Sequence, residues 1–355
     1  MFGLSKKQIA LVGLDIGSSS IKLLQLKQGR KGYSLEKLGI APIDSDLIVD
    51  GTVMDSGRVV EIIKGLVDEQ KLKTRAVAFS VSGHSVIVKK IILPAMTEDE
   101  LEESIKFEAE QYIPFDINDV NIDFHVLGPA EPVDGKEQQE VLLVAVKKDK
   151  LTEYKTIVEE AGLVPMVVDV DAFTVENMFE FNYGLNNGVV ALVNIGSGIM
   201  NINIMKNGVF SFTRDISIGG NKYTETIQKD LNLSFEEAEK LKKGEEVEGA
   251  NPEAVAASIE NMNSEIAAEI QRTFDYFKNT ANQEQIDRIY LSGGGGKLRN
   301  LPQVLTEKLS LPVEMINPFK NISFDPKVFS PDYIQEVGPM AAVVLGLALR
   351  KSGDR

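Results

Sequence analysis

Cysteine is absent from the 355-residue chain, and histidine occurs only at His84 and His125. A chain without cysteine forms no disulfide, no thiolate metal site and no cysteine nucleophile. The two histidines are isolated in the sequence, so they indicate neither catalysis nor a metal site. These absences exclude several enzyme classes and are consistent with a reducing compartment.

Basic residues are scarce, since 38 Lys and Arg stand against 53 Asp and Glu and give a formal net charge of −15. A nucleic-acid-binding protein needs a basic surface to displace counterions, so we do not expect nucleic acid as a partner. The overall negative field also repels phosphate. A bound phosphate therefore has to be held by local features of the chain.

Long hydrophobic runs are also missing. The longest uncharged apolar stretch, VGPMAAVVLGLAL at 337–349, is shorter than a bilayer-spanning helix requires. We therefore expect contact with a membrane only through a partner. Hydrophobic residues make up 43% of the chain, which is enough for sizeable cores, and the length predicts two lobes or more.

One motif is present twice. LVGLDIGSSSIKLLQL at 11–26 and VALVNIGSGIMNINIM at 190–205 are both typical of a strand, a Gly-Ser turn and a second strand. Asp15 and Asn194 occupy the same place in the two copies, 179 residues apart (194 − 15), which is about one domain length. The repeat therefore predicts a duplicated lobe.

Between the two copies the pattern of elements changes. The first predicted elements are strands at 9–15, 20–27, 32–40 and 76–81 and a helix at 56–70. An insert at 84–162 is then predicted to hold a strand at 85–93, a helix from the capping box Thr97–Glu100 to Pro114, and strands at 120–127 and 140–146 around a polar loop at 128–140. After the second copy, we expect a solvated acidic run at 236–248 and a long helix from Pro252 to Ala281.

A nucleoside triphosphate needs backbone amides directed at its oxygens, a counter-ion and a slot for its base. Two facing Gly-Ser tips would supply the amides, Asp15 can hold Mg²⁺, and Lys22 can contact the phosphates. The GGGG run at 293–296, between a predicted strand and a predicted helix, leaves room for a base. One hairpin or one glycine run alone is most often structural, but their ordered combination favours nucleotide binding.

The order of these motifs resembles the actin-like ATPase superfamily, in which the two hairpins are phosphate loops and the glycine run is the adenosine motif. Segments 169–179 and 337–350 resemble the two helices that cross between lobes, and the position of the insert is similar to that in the cell-division protein FtsA. Within this branch the chain is similar to the PilM family of type IV pilus assembly. The segments that carry this likeness are LPAMTEDELEESIKFEAEQYIPF (93–115), EIQRTFDYF (269–277), INPF (316–319) and GLALR (346–350).

The resemblance implies an α/β fold in which duplicated actin-like (ribonuclease H-like) lobes surround a nucleotide cleft, with a small strand-helix-strand-strand insert in the first lobe. The implied domains are a first-lobe core at 1–83, continued by 163–187 and 335–355, the insert at 84–162, a second-lobe core at 188–218, continued by 283–334, and an outer helical subdomain at 219–282.

The resemblance also implies ATP and Mg²⁺ as cofactors. Asp15 would hold the metal and is, with Glu176, a predicted catalytic residue, although Asp169 and Asp171 are further candidates for orienting the attacking water. The predicted nucleotide contacts are Gly17, Ser18, Ser19, Ser20, Lys22, Asn194, Gly196, Ser197, Gly198, Gly219, Gly220, Glu269, Arg272, Gly293, Gly294 and Gly295.

Asn194 departs from the superfamily pattern, which usually has Asp in the second loop. An amide accepts hydrogen bonds but brings no negative charge to a metal. We therefore predict ATP binding with slow hydrolysis or none. A purely local alternative is that Asn194 caps its own turn.

The family resemblance implies that the chain binds the short cytoplasmic N-terminal tail of PilN, an inner-membrane pilus protein, in a groove between the main lobe and the insert. Tyr112, Ile113, Pro114 and Phe115 form an apolar group that can wall such a groove or simply close the core of the insert. Other pilus machinery proteins are further candidate partners. The implied location is the cytoplasm, at the inner face of the inner membrane through partners.

Two other functions share this fold class, because a fold alone does not decide function. A small-molecule kinase would need a base aimed at a substrate hydroxyl, and no such constellation is visible in the sequence. An FtsA-like cytoskeletal protein would form nucleotide-dependent filaments.

Overall fold

The computed structural model of the protein describes residues 10–354 except residues 31, 50, 186, 187 and 282. Ile9, the first residue of the predicted strand at 9–15, lies outside the described residues. The strands are β1 Val12–Ile16, β2 Ser20–Gly29, β3 Gly32–Pro42, β4 Ile48–Val49, β5 Thr52–Val53, β6 Ala76–Val81, β7 Val86–Pro94, β8 Val120–Val133, β9 Lys136–Lys147, β10 Val164–Val170, β11 Val189–Ile195, β12 Met200–Lys206, β13 Val209–Ile216, β14 Arg288–Ser292, β15 Val313–Met315 and β16 Ile322–Ser323. The α-helices are α1 Ser56–Glu69, α2 Glu98–Ala109, α3 Lys148–Glu160, α4 Asp171–Tyr183, α5 Gly220–Leu231, α6 Phe235–Lys242, α7 Pro252–Thr280, α8 Leu301–Leu309, α9 Pro331–Val337 and α10 Ala342–Leu349.

The first lobe is built on a mixed sheet with the strand order β10-β6-β1-β2-β3-β16. β1, β2 and β3 form an antiparallel meander, whereas β6 runs parallel to β1 and β10 runs parallel to β6. α1 covers one face because Val59, Ile63 and Leu66, which are spaced by three or four residues, are buried against the sheet. Asp55 caps this helix by accepting a hydrogen bond from the amide of Arg58.

The second lobe repeats this arrangement. Its sheet has the strand order β13-β12-β11-β14-β15, in which β11, β12 and β13 form the antiparallel meander and β14 and β15 follow in parallel. Apart from β16, the two sheets therefore have the same topology, since β10-β6-β1-β2-β3 corresponds to β15-β14-β11-β12-β13. This correspondence confirms the predicted duplication of a lobe.

α4 and α10 lie in the core that joins the two sheets. This core includes Leu24 of the first sheet, Leu192 of the second sheet, Met178 of α4 and Leu345 of α10. α10 approaches α4 closely at Gly346, where a Cβ atom would lie 1.8 Å from the carbonyl oxygen of Thr174. The shared core therefore fixes the cleft that opens between the lobes.

The end of the chain contains a long apolar helical segment. Residues Pro331–Leu349, 19 residues in all, are long and apolar enough to cross a membrane by length and composition, whereas the sequence analysis considered only the shorter stretch 337–349. In the folded chain 61% of the most apolar window of this segment is buried. The packing of α10 in the core between the sheets accounts for this apolar composition.

The insert is an antiparallel sheet with the order β7-β9-β8, which packs against α2. The predicted capping box is confirmed, because the Thr97 hydroxyl accepts from the Glu100 amide and the Glu100 carboxylate accepts from the Thr97 amide. The predicted loop at 128–140 is wrong, because β8 and β9 continue to a turn at Asp134 and Gly135. The predicted end of the helix at Pro114 is also wrong, since α2 ends at Ala109.

The predicted domain boundaries stay predictions. The strand-helix-strand-strand order of the insert is as expected, and α3 follows it as the predicted trailing helix. The insert has a core of its own, which includes Leu101 and Leu143.

Candidate functional site

The tips of the β1–β2 hairpin and the β11–β12 hairpin meet. Ser18 Oγ and Ser197 Oγ are 2.7 Å apart, so one hydroxyl donates a hydrogen bond to the other. Each tip is closed by a backbone hydrogen bond from its first glycine amide to the carbonyl three residues later, 3.2 Å long in the first tip and 2.9 Å in the second. Two amide-rich turns therefore face each other across one cleft. The tips contain the predicted residues Gly17, Ser18, Ser19, Ser20, Gly196, Ser197 and Gly198.

Asp15 and Lys22 form an ion pair beside the first tip. They lie directly opposite each other on β1 and β2, and Lys22 Nζ donates to Asp15 Oδ2 at 2.9 Å. Their side chains are only 13% and 11% exposed, respectively. The predicted metal ligand and the predicted phosphate cation are thus brought together at the mouth of the first hairpin.

Gly219 and Gly220 lie against the second tip. The amide of Gly220 donates to the carbonyl of Gly196 at 2.9 Å, and the amide of Asn221 donates to the carbonyl of Ser197 at 2.8 Å. A Cβ atom at Gly219 would lie 2.6 Å from both of these carbonyl oxygens. Glycine is therefore required at 219, because the first turn of α5 is docked directly on the tip.

The glycine run is packed against the end of β11, just before the second tip. A Cβ atom at Gly293, whose φ is +85°, would lie 2.2 Å from the carbonyl oxygen of Ile195, and one at Gly295 would lie 2.4 Å from Ile195 Cγ2. The amide of Gly293 donates to the carbonyl of Pro339 at 2.7 Å. A Cβ atom at Gly294 would lie 3.8 Å from Met340 Cγ, an ordinary contact distance. The run is thus part of the same cleft wall as the second hairpin.

Asp171 lies at the start of α4, in the segment that connects the lobes, and its pKa is affected by the charge of Asp15. Its Oδ1 accepts a hydrogen bond from Ser80 Oγ at 2.6 Å. The pKa of Asp171 is raised to about 6, first by burial and second by the negative charge of Asp15. Within the described residues, no group of three or more Asp, Glu or His side chains is arranged to hold a metal ion by itself.

Asp169 and Glu176 have other partners. Asp169 is buried, its Oδ2 lies 3.3 Å from Arg350 Nε, and burial raises its pKa. Glu176 Oε2 accepts a hydrogen bond from Asn203 Nδ2 of the second lobe at 3.0 Å. Burial raises the pKa of Glu176 to about 7. The predicted catalytic role of Glu176 stays a prediction, and the structure brings Asp171 rather than Glu176 into electrostatic contact with Asp15.

Asn194 is buried and both ends of its amide are used. Its Nδ2 donates to Asn201 Oδ1 at 3.2 Å, and its Oδ1 accepts from Ser292 Oγ at 3.1 Å. It therefore bonds to the two neighbouring strands and does not cap its own turn.

Glu269 and Arg272 form an ion pair with each other on α7. The Arg272 side chain is 62% exposed and that of Glu269 is 19% exposed. No contact in the structure links this pair to the tips or to the glycine run among the residues described. Their role as nucleotide contacts stays a prediction.

Lys242 of α6 is a largely buried residue beside α5 that could not be identified from the sequence. Its Nζ donates to the carbonyl of Gly220 at 3.1 Å and to Thr224 Oγ1 at 2.9 Å, and it pairs with Glu239. Its side chain is only 10% exposed, and burial lowers its pKa. The interpretation of 236–248 as a wholly solvated face is wrong here, because α6 turns this lysine inward toward α5. In the sequence, this burial could have been indicated only by the position of Lys242 around the turns of the short helix α6.

A groove of about 500 Å³ lies where the insert meets the first turn of α3. Its lining residues are Phe115, Asp116, Asp119, Lys147, Lys148 and Asp149. Lys147 Nζ lies 4.4 Å from the ring centroid of Phe115. Of the predicted partner-binding group, Phe115 lines the groove, Ile113 is buried in the insert core, Tyr112 is partly buried against that core and Pro114 is exposed.

Comparisons with known proteins bear on this arrangement. A family model described as type IV pilus assembly protein PilM matches residues 13–352. A solved PilM-PilN type IV pilus biogenesis complex contains a similar chain, with a TM-score of 0.86 and 31% sequence identity over 96% of this chain and 98% of that chain.

More distant relatives share the fold. The cell division protein FtsA of Bacillus subtilis (strain 168) is 28% identical over 261 residues, which are 65% of this chain and 57% of that protein. The chain thus matches little more than half the length of this curated relative. MreB 5 of Spiroplasma citri bound to AMPPNP has a TM-score of 0.50 and 14% identity, covering 95% of this chain and 94% of that chain, which is a likeness of fold alone. These similarities confirm the predicted actin-like fold.

Proposed function

Because the chain belongs to the type IV pilus assembly protein PilM family, we propose that it binds Mg²⁺-ATP between its lobes and docks the N-terminal tail of PilN beside its insert. In this role it links an inner-membrane protein to the cytoplasmic pilus machinery. It acts at the inner face of the inner membrane through this partner. The solved relative is a PilM-PilN complex, which supports PilN as the partner of this chain.

The 2.7 Å contact between Ser18 Oγ and Ser197 Oγ is the observation that carries the nucleotide proposal. Two duplicated tips that meet this closely offer amides and hydroxyls to one phosphate chain from both lobes. Lys22 supplies the positive charge that the overall field of the protein lacks, and the run from Gly293 to Gly295 borders the adjoining space for the base. MreB 5 of Spiroplasma citri, solved with bound AMPPNP, shares this fold, and this supports nucleotide binding in general.

Mg²⁺ fits the residues that face the cleft. Asp15 and Asp171 are close enough for the charge of Asp15 to raise the pKa of Asp171, so a divalent cation beside Asp15 would relieve their repulsion. Asp15 would hold the ion, which supplies charge neutralisation to the phosphates when bound. Asp171 is then the group that we propose orients water. Asn194 brings no second carboxylate, so we expect slow hydrolysis or none.

The groove beside the insert is the proposed site for the PilN tail. Phe115 offers an apolar and aromatic wall, while Asp116, Asp119 and Asp149 put carboxylates around it. An extended peptide can be held by such a combination of an apolar pocket and polar rim groups. The first turn of α3 lines this groove, and a later residue of the same helix, Ile157, packs in the core of the first lobe.

Calorimetry with a synthetic PilN N-terminal tail tests the docking proposal. We expect Phe115→Ala to weaken binding by about tenfold or more, because aromatic anchors dominate such interfaces. Phe107→Ala is the matched control, since Phe107 is 76% exposed on α2 and does not line the groove. Equal affinity of the wild-type and Phe115→Ala proteins would contradict the assigned groove, and absence of any binding would contradict PilN as the partner.

A further inference from the structure

We infer that Asp215 is the residue on which the two lobes close, and that residue 194 is an amide because it belongs to the hydrogen-bonded ladder that orients Asp215. The functional consequence, retention of a bound nucleotide, rests on the proposed nucleotide cleft. The geometry of the ladder itself is independent of that proposal.

The ladder runs across four adjacent strands of the second lobe. Ser292 on β14, Asn194 on β11, Asn201 on β12 and Asp215 on β13 are direct neighbours in the strand register. Ser292 Oγ donates to Asn194 Oδ1 at 3.1 Å, Asn194 Nδ2 donates to Asn201 Oδ1 at 3.2 Å, and Asn201 Nδ2 donates to Asp215 Oδ1 at 2.7 Å. Each side chain thus passes one hydrogen bond to the next strand.

The last member of the ladder contacts the other lobe. Asp215 Oδ2 accepts a hydrogen bond from the amide of Gly83 at 2.7 Å, and Gly83 belongs to the turn between β6 and the insert. Beside it, Ser217 Oγ and His84 Nε2 are 2.9 Å apart, and a Cβ atom at Gly83 would lie 3.1 Å from Ile199 Cδ1. Asp215 therefore uses one oxygen within its own lobe and the other across the cleft.

The direction of the hydrogen bonds dictates the residue types. Asn201 must receive a donor from residue 194, and a carboxylate there could not provide one. The final position must accept from both Asn201 and the Gly83 amide, which requires an acceptor-only group such as Asp. Asn194, Asn201 and Ser292 are 8%, 3% and 0% exposed, so a mismatched group would be left unsatisfied away from water.

The ladder joins two functional edges of the cleft. Ser292 directly precedes the glycine run, and Gly83 directly precedes the insert. Opening the lobes breaks the bond between Gly83 and Asp215, which the ladder holds in place. Asp215 is thus a positioning residue that slows the escape of a bound nucleotide.

A charge-swap experiment tests the ladder. Asp215→Asn alone puts an amino group against either Asn201 Nδ2 or the Gly83 amide, so one bond is lost. The double variant Asp215→Asn with Asn201→Asp restores every donor and acceptor, since a carboxylate at 201 accepts from both neighbours and the amide at 215 accepts from Gly83. Asp287→Asn is the control, because Asp287 accepts from the Val189 amide within the second lobe at 2.7 Å.

Two readouts are measured on the full chain. Hydrogen exchange of the peptide that contains Gly83 needs no nucleotide, and we expect Asp215→Asn to speed it about five- to thirtyfold. Dissociation of a fluorescent ATP analogue, followed by stopped flow, should speed by a similar factor. The double variant should return to within about threefold of the wild-type rates in both measurements, and the control should not change either rate.

The outcomes separate the two proposals. The proposed latch is the hydrogen bond between Asp215 and the Gly83 amide. It would be overturned if Asp215→Asn left exchange at Gly83 unchanged, or if the double variant exchanged as fast as the single one. A wild-type protein that binds no nucleotide would overturn the proposed nucleotide function, while exchange at Gly83 still decides the latch. Normal nucleotide dissociation from a variant with fast exchange would overturn the role of Asp215 in retention.

Discussion

At the scale of single residues, the first hairpin depends on a shielded pair of charges. Asp15 and Lys22 face each other 2.9 Å apart, and both side chains are nearly buried. Such a pair is screened by salt much less than a surface pair. Loss of either partner leaves the other charge uncompensated in a place that water barely reaches.

Asp15→Ala should lower the affinity for Mg²⁺-ATP by about tenfold or more, because the bound metal loses its carboxylate and Lys22 loses its partner. Calorimetric titrations with and without Mg²⁺ measure this, and the variant should have lost the dependence on the metal. Asp46→Ala, at an exposed loop position, is the control. An unchanged affinity would refute the assignment of Asp15 as the metal-holding residue.

Asn194→Asp should destabilise the protein by about 1–3 kcal/mol, because the new carboxylate cannot donate to Asn201 Oδ1. Urea unfolding monitors the stability, and phosphate release monitors ATP hydrolysis, which we expect to rise because the variant supplies the second carboxylate. If hydrolysis rises while the stability is unchanged, the missing carboxylate limits turnover and the amide has no structural task.

Some of these residue roles could be predicted from the sequence and others could not. The proximity of Asp15 and Lys22 could be predicted, because they lie on the two strands of one short hairpin and such strands pair. The burial of Lys242 could not be predicted, because a short segment rich in Glu and Lys does not reveal which of its faces is covered. One hydrogen-bond partner of Asn194 is Ser292, which is 98 residues away in the sequence. No local sequence pattern predicts such a partner.

At the scale of elements, α4 delivers acidic groups to different neighbours. Asp171 and Glu176 are five residues apart, so a rotation of about 100° per residue points them in different directions. Asp171 consequently meets Ser80 of the first lobe, and Glu176 meets Asn203 of the second lobe. This rotation explains why the sequence alone could not choose between them.

Glu176→Gln should flatten the pH dependence of stability. Burial raises the pKa of Glu176 from 4.5 to about 7, so the folded protein keeps a proton that the unfolded chain releases above pH 4.5. The stability from this group is therefore fully present below that pH and is lost as the pH rises through about 7. Between pH 5 and pH 8 the wild type should lose roughly 1–3 kcal/mol relative to the variant.

The measurement is urea unfolding at pH 5, 6.5 and 8. Glu61→Gln, at an exposed position on α1, serves as the control and should keep the wild-type slope. Parallel curves for the wild type and Glu176→Gln would show that Glu176 does not keep a proton in the folded state.

Among the elements, those with a strong apolar period were predictable. The helix expected at 56–70 is α1 at Ser56–Glu69, and the long helix expected from Pro252 to Ala281 is α7 at Pro252–Thr280. The far end of the β8–β9 hairpin was missed, because its residues are polar and exposed. Cross-strand backbone pairing holds it rather than burial, and such strands leave little trace in the sequence.

At the scale of the whole molecule, the duplication explains the cleft. Two sheets of the same topology share one core through α4 and α10, so the equivalent hairpins of the two lobes meet tip to tip. The repeated motif made this arrangement predictable from the sequence. The insert breaks the symmetry and lines the groove beside α3.

The FtsA-like alternative predicts filaments, and we expect none. A net charge of −15 makes copies of the chain repel one another. Sedimentation velocity with and without Mg²⁺-ATP, at low and at physiological salt, measures assembly. Pelleting that depends on the nucleotide would favour the cytoskeletal function over the assembly-protein function.

The docking of α5 on the second tip turns the outer subdomain into a lever. The two hydrogen bonds from Gly220 and Asn221 to the tip carbonyls tie the loop that would grip phosphate to the first turn of α5, and α5 packs on the 29-residue α7. The second tip therefore moves together with the first turn of α5. A small shift of the tip on phosphate release would be amplified along α7, which is about 43 Å long. The surface whose position changes most with the nucleotide state would then be the far end of α7, well away from the nucleotide.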